Sequence, residues 1–254
     1  MKTPLDIMST VKRYGLNQQE QERLIQFSDF IWQECSIQSV DDLVAFEKKY
    51  CEYDKEFDFC YDTEHETFNA VDMHDFEMCL LTKCTFEAIS RHINDRCFNN
   101  PSNAKLTELE RVVIYSFIAN ISGLYRKDAY YYGIPPFVET VCNILNSAIS
   151  KLAPYSDTVV RACNKYDKSI FQNGDKFQPQ FCLTCSADLT WKNQNENRYI
   201  IHPLDSIYTK ARSVFSICNN SEKQVTFLQD ASFKITDIKE WGNDKLQIEM
   251  QETE

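Results

Sequence analysis

The feature that most constrains this chain is a change of texture at Pro154. Before it, apolar residues recur at helical spacing. Leu16, Leu24, Phe27 and Ile31 do so across residues 16–36, and the segment from Val40 to Tyr50 behaves similarly. Val71 to Ile93 also reads as helix. Thr107 with Glu110 three residues on has the capping-box arrangement, opening a helix that runs through Val112, Val113, Tyr115, Phe117 and Ile118. A further helix, Phe137 to Leu152, follows Pro135-Pro136, carries Val141, Ile144, Leu145 and Ile149 on one side, and ends at Pro154. Beyond Pro154 the chain breaks into short runs rich in Val, Ile, Phe and Thr. These are Thr158–Cys163, Phe181–Cys185, Arg198–His202, Ser213–Cys218, Gln224–Leu228, Ser232–Ile238 and Leu246–Met250. Gly, Asn, Asp or Pro separate most of them, so they read as strands. Helices first and strands afterwards predict an α+β fold, not alternating α/β. The turn cluster Asn99-Asn100-Pro101-Ser102-Asn103 marks the expected boundary. Residues 1–98 are then a helical region without recognisable chemistry, and residues 105–254 a second, β-rich domain.

Composition narrows the function classes. The chain has 254 residues, 43% of them hydrophobic, with 3 Trp, 13 Tyr and 17 Phe, which suits a packed core. A net charge of −11 repels phosphate backbones, and no run of Lys and Arg interleaves with aromatics. Nucleic acid is therefore not an expected partner, and the acid excess reads as a solvated surface. No stretch approaches the ~20 apolar residues of a membrane helix. Met1 to Gly15 is polar, without the apolar core of a signal peptide. The 11 Cys are odd in number and form no repeated C-x-x-C framework, which predicts free thiols and a reducing compartment. The expectation is a cytoplasmic protein, or one exported without a cleaved signal. Glu249 to Glu254 reads as a short acid-rich tail.

Three signatures then occur in order. The first is Thr158-Val159-Val160-Arg161-Ala162. The second is Gly174-Asp175-Lys176-Phe177, followed by Phe181-Cys182-Leu183-Thr184-Cys185-Ser186. The third is Ser221-Glu222-Lys223-Gln224-Val225-Thr226-Phe227, followed by Ala231-Ser232-Phe233-Lys234-Ile235. Arg161 and Thr184 stand 23 residues apart, and Thr184 and Glu222 stand 38 apart. Upstream lie Leu106-Thr107-Glu108-Leu109-Glu110, Tyr115-Ser116 and Leu124-Tyr125-Arg126. Together these resemble the Arg–Ser–Glu type of mono-ADP-ribosyltransferase, over Leu106 to Glu254. The second signature is similar to that family's G-D-x-F and F-x-S-T-S segments. The third is similar to its E-x-E-V-L-F strand. The resemblance implies helices packed on a mixed two-sheet β core, with NAD as substrate and a protein side chain as acceptor.

The chemistry accounts for the residue types. The forked donors of a guanidinium suit the NAD phosphates and ribose, a role the resemblance gives to Arg161. The backbone at Ala162 would clamp the nicotinamide amide; the family usually has glycine there, and Ala restricts that backbone. Thr184 stands for the first serine of S-T-S and would orient the catalytic acid and the ribose. Ser186 would support the segment beside the cofactor. Cleavage of the nicotinamide bond develops positive charge on the ribose, which a carboxylate stabilises. The second Glu of E-x-E supplies it in the family, and Gln224 stands there in this chain. The first Glu is kept as Glu222, which in arginine-specific members engages the target guanidinium. Strand alternation places residues 222 and 224 on one face.

Three accounts of Gln224 stand open: a Glu-to-Gln replacement in an active parent, a native weak or non-catalytic member, or another acid such as Asp230 serving instead. Two functions follow. One is an NAD:protein-arginine ADP-ribosyltransferase, a bacterial toxin-like effector reaching the host cytosol. The other is a degenerate module of the same fold that binds NAD or a protein without chemistry. A metal site at Cys182 and Cys185 is disfavoured, since alternation sets them on opposite faces without a second pair. A Cys185–His202 nucleophilic pair lacks any orienting signature. Trp191, Tyr199, Tyr208 and Phe215 read as core residues, the run Tyr130-Tyr131-Tyr132 as a buried helix end, and Asp41-Asp42 and Glu64–Glu66 as solvated charge.

Overall fold

The computed structural model describes residues 17–54, 89, 105–118, 134–163, 173–179, 181–191, 197–217, 221–241 and 245–254. Apart from Ile89, the helix expected over 71–93 lies outside these, as do the boundary at 99–103, Glu64–Glu66, Leu124–Arg126 and Tyr130–Tyr132. The chain divides into two compact units: Met1–Asn94 with Thr107–Leu145, and Asp95–Leu106 with Asn146–Glu254.

The described secondary structure of the first unit is helical. Its described helices are α1 (Gln18–Trp32), α2 (Val40–Asp54), α3 (Glu108–Ile118) and the first turns of α4 (Pro136–Ser150). Two of them start as their sequences dictate. The Thr107 amide donates to the Glu110 carboxylate at 2.9 Å, and the Glu110 amide donates to the Thr107 hydroxyl at 3.2 Å. This reciprocal pair satisfies donors the first helical turn leaves open. Ser39 and Asp42 do the same at α2, so Asp42 is a capping acid where solvated charge was expected. Those donors, the Gln38 amide first, hold its carboxyl below the usual range. Phe30, Phe46 and Phe137 stack in a row, with centroids 4.8 and 3.8 Å apart.

The second unit is a mixed sheet of β1 (Val159–Cys163), β2 (Lys176–Phe177), β3 (Leu183–Ser186), β4 (Asn197–His202), β5 (Ala211–Ser213), β6 (Gln224–Phe227), β7 (Ser232–Trp241) and β8 (Lys245–Thr253). The strand order is β2-β7-β8-β4-β1-β3-β6-β5. β4 and β8 run parallel and the other pairs antiparallel. The joint between β1 and β3 is short, with register pairing at Val160 and Ser186. The strands therefore form two leaves, β2-β7-β8-β4-β1 and β3-β6-β5, that share one core. Val159, Tyr199, Ile201, Phe233, Ile235, Ile248 and Met250 come from the first leaf, and Leu183, Cys185, Ala211, Val225 and Phe227 from the second. Phe227 meets Phe233 edge-on across it, 4.9 Å between centroids.

The α+β expectation holds, and most strand runs sit within a few residues of their sequence limits. Three places differ. The strand expected from Ser213 onward is not formed over 214–217: after β5 the chain tightens into a 3-10 turn at Val214–Ser216. The Ser216 hydroxyl donates to the Ser213 carbonyl at 2.6 Å, offering the backbone a local alternative to the ladder. Lys176–Phe177 forms an edge strand beside β7, entered through Gly174 at φ 93°, a conformation that favours glycine. The acid-rich run at 249–254 is not a solvated tail. It completes β8, where inward and outward positions alternate and Glu252 takes an inward one.

Candidate active site

β3 is the middle of the predicted site. Its register with β6 sets Thr184 opposite Thr226 and Ser186 opposite Gln224. Directly opposed residues share a face, so Thr184, Ser186, Gln224 and Thr226 line one side of the sheet, with Val160 and Ala162 of β1. Arg161 alternates to the other side, with Cys185, Tyr199 and the core. The Arg161 guanidinium nevertheless reaches β3: Nη1 donates to the Thr184 carbonyl at 2.5 Å. It braces the two leaves beside the place where their ladder is short. The contact is to the Thr184 backbone, so the Thr184 hydroxyl keeps its own direction.

The end of β3 holds the segment before β6. The Ser186 hydroxyl donates to the Glu222 carbonyl at 2.6 Å, and the Ala187 amide to the Lys223 carbonyl at 3.0 Å. Ser186 Oγ also accepts from the Asp188 amide at 2.9 Å. Asp188 in turn accepts from the Thr190 amide and hydroxyl at 2.9 and 2.7 Å. The Thr190 hydroxyl and amide hold the Asp188 carboxyl below its ordinary value. The expected alternation of Glu222 with Gln224 fails here. β6 begins at Gln224, and Lys223 is left-handed at φ 47°, the one non-glycine residue of positive φ among those described. A left-handed residue interrupts the pleat, so Glu222 does not inherit the face of Gln224. Glu222 is half-buried, whereas Gln224 is 3% exposed and donates from Nε2 to the Thr226 hydroxyl at 3.3 Å.

Cys185 reports the electrostatics between these groups. Burial pushes its thiol up to about 12; Arg161 opposes that rise and Glu222 adds to it. Arg161 and Glu222 thus both lie within electrostatic reach of Cys185. A thiol so raised stays protonated at neutral pH and is no nucleophile. Cys182 precedes β3, buried, with its sulfur 3.9 Å from Asn146 Oδ1. Neither thiol forms a disulfide, and no cluster of three His, Cys, Asp or Glu side chains suited to a metal occurs among the described residues. His202 meets the Thr158 hydroxyl at 3.1 Å. Asp230, the alternative acid, lies past the other end of β6 and pairs with Lys210 at 2.7 Å. Tyr199 is in the core and Phe215 packs against it, as expected. Tyr208 is 59% exposed, so the core reading fails there.

Two features of the candidate site escaped the sequence reading. Lys223 carries no signal for a left-handed conformation, which Gly or Asn would have given. Asp188 did have one: Asp two residues before Thr is a turn signature.

No protein-family model matches the chain, and no curated protein matches it in sequence. Solved structures do. The type III effector XopAI from Xanthomonas axonopodis pv. citri is similar with a TM-score of 0.56 at 12% identity, over 85% of this chain and 100% of that one. The Clostridium limosum C3 exoenzyme is similar with a TM-score of 0.49 at 13% identity, over 65% of this chain and 93% of that one. The Vis toxin, an ADP-ribosyltransferase from Vibrio splendidus, is similar with a TM-score of 0.46 at 14% identity, over 74% of this chain and 89% of that one. The chain has the α+β fold of a solved bacterial type III effector. Proteins described as ADP-ribosyltransferases stand among the structures it resembles.

Proposed function

We propose that this chain is an NAD-dependent mono-ADP-ribosyltransferase that modifies a protein side chain, arginine first of all, as an effector delivered into a host cell. The observation that carries the reading is the meeting of three sequence signatures at β3. Arg161 arrives from β1, Thr184 and Ser186 lie on β3 itself, and Ser186 ties down the Glu222 turn. All the site residues fall within 105–254, the proposed catalytic domain. Arg161 and Thr184 hold NAD, Ala162 borders the nicotinamide, and Ser186 supports the segment. Glu222 engages the acceptor. The N-glycosidic bond breaks, nicotinamide leaves with the bonding electrons as a neutral group, and the acceptor nitrogen bonds the ribose carbon and loses a proton. The likeness of the fold to a type III effector supports delivery through a specialised secretion system.

A second reading is favoured by Gln224 alone. A buried neutral amide stands where the resemblance puts the catalytic carboxylate, which suits a module that binds NAD or a protein without chemistry. Titration with NAD and incubation with labelled NAD and host-cell lysate separate the two. Labelled protein supports the transferase. NAD binding without label or nicotinamide release supports the module. Absence of NAD binding refutes both NAD-dependent readings.

A further inference from the structure

The loop joining β4 to β5 displays large apolar side chains where a connection between strands needs none. Ile207 is 79% exposed and its neighbour Tyr208 59%. The other large hydrophobic residues exposed among those described, Ile25 and Leu189, stand singly. A lone exposed apolar residue is ordinary; an adjacent pair on a fixed loop is not. This loop is fixed. The Tyr208 and Thr209 amides both donate to the Asp205 carbonyl, at 2.8 and 2.9 Å, closing a turn with Ser206 and Ile207 at its tip. Beneath the turn, the buried Glu252 carboxylate accepts from the Leu204 amide on the way in, and from the Thr209 hydroxyl and Lys210 amide on the way out. Both stems of the loop are thus tied to one side chain. Ordering the loop in advance removes entropy that a partner would otherwise have to take out. Tyr is also among the residues that most often carry binding energy at protein interfaces.

The surrounding charge selects the partner. Asp205 is exposed within the turn itself. Asp157 is exposed one residue before Thr158, whose hydroxyl meets His202 at the loop's entry. Glu254 is exposed at the end of the strand that carries Glu252. Asp230 is exposed too, and Lys210 pairs with it. The Arg212 guanidinium is folded onto the Thr209 and Ala211 carbonyls. Acid therefore dominates around the pair, in a chain of net charge −11. Such a rim repels anionic lipid and a second copy of the chain, and attracts a cationic surface. We propose that Ile207 and Tyr208 anchor a docking surface for another protein, one whose contact face sets Lys or Arg around an apolar patch. The two side chains bury in that patch, and the acids steer the encounter. The surface lies apart from the candidate active site. The Leu228 amide, just past β6, donates to the Lys210 carbonyl at 3.1 Å, whereas the Glu222 turn enters β6 at Gln224. The proposal does not depend on NAD chemistry.

The probe is a fluorescently labelled amphipathic helical peptide of Leu and Lys, leucine on one face and lysine on the other. It is titrated with the full chain and read by anisotropy. Ile207→Ser combined with Tyr208→Ser is expected to weaken binding about 10-fold or more, with an unchanged thermal melt because both side chains lie outside the core. Ile207→Leu combined with Tyr208→Phe, which keeps the apolar bodies, should retain the affinity. Added salt should weaken the parent complex, and the same peptide with Glu in place of Lys should not bind. Equal affinity of the parent and the Ser variant overturns the proposal, since net charge alone would then hold the peptide. Absence of binding by the parent overturns it as well, as does a loss in the Leu–Phe variant equal to that in the Ser variant. Self-association in sedimentation that the Ser variant abolishes would make the occupant a second copy. Flotation with lipid vesicles that the Ser variant abolishes would make it a membrane surface. Either result replaces the protein partner and overturns the assignment.

Discussion

Two loops beside the sheet are held by opposite means. The loop between β4 and β5 is fixed by a buried carboxylate. Glu252, 1% exposed, accepts from the Leu204 amide at 2.8 Å, the Thr209 hydroxyl at 2.6 Å and the Lys210 amide at 2.7 Å. Before Gln224, the turn is fixed by neutral donors, the Ser186 hydroxyl and the Ala187 amide, and it leaves its acid half-buried. A carboxylate satisfied by three donors is a structural anchor with little left to offer a substrate. At the Glu222 turn the bonds from β3 hold backbone carbonyls instead. One loop is thus fixed through a side chain, the other through its main chain.

That contrast can be broken from either end. The largest expected effect is at the anchored end. Glu252→Ala strands two amides and a hydroxyl in the interior and should destabilise the fold by about 3–5 kcal/mol, read as a lowered urea midpoint. NAD affinity, measured where the variant is still folded, should be kept. Next is Arg161→Ala, which removes the guanidinium that braces β1 to β3 and is proposed to hold NAD. A loss of about 1.5–3 kcal/mol of binding, roughly 10- to 100-fold in Kd, is expected by calorimetry. Unchanged affinity would refute the placement of the pocket. Ser186→Ala should cost about 1–2 kcal/mol of stability by denaturation, since the Glu222 carbonyl and the Asp188 amide lose their shared hydroxyl. It should also slow NAD cleavage, which Glu252 variants should not. Lys223→Gly removes the left-handed penalty but frees the unfolded chain, so the net shift should stay within about 1 kcal/mol, with a thermal melt as the check. The smallest effect is that of pH on Asp188. Its folded carboxyl titrates below its unfolded value, so its contribution is present above the ordinary carboxylate range and fades as pH falls through the lowered value. Asp188→Asn should flatten the acid limb of the stability curve; an unaltered limb would show that the Thr190 contacts contribute nothing.

The strands were legible because alternation is a local property. Phe233, Ile235 and the 246–250 run declare an inward face without knowledge of what covers it. The capping box at Thr107 and Glu110 is equally local, with both partners within one turn. The candidate site was legible only as residue types and order, through Arg161, Thr184 and the segment at 222–227. Its geometry was not. Lys223 adopts a conformation its own side chain disfavours, because two bonds from β3 impose it. Glu252 resembled part of a solvated tail because its donors come from residues more than forty positions earlier. The Ser213–Cys218 run carried strand-forming residues, yet one serine hydroxyl diverted it into a tight turn.

The place of β8 in the sheet has a consequence for the order of events in folding. It lies between β7 and β4, and its Gln247 pairs with Arg198 across 49 residues of chain. β4 can zip against β1 early, but its second edge stays bare until residues 245–253 arrive. A chain that emerges N-terminus first, from a ribosome or any narrow conduit, carries an open parallel edge for that whole interval. Such an edge is a template for pairing with other chains. The final strand therefore acts as a clock: the sheet closes, and the core it covers becomes safe from aggregation, only when that strand is delivered.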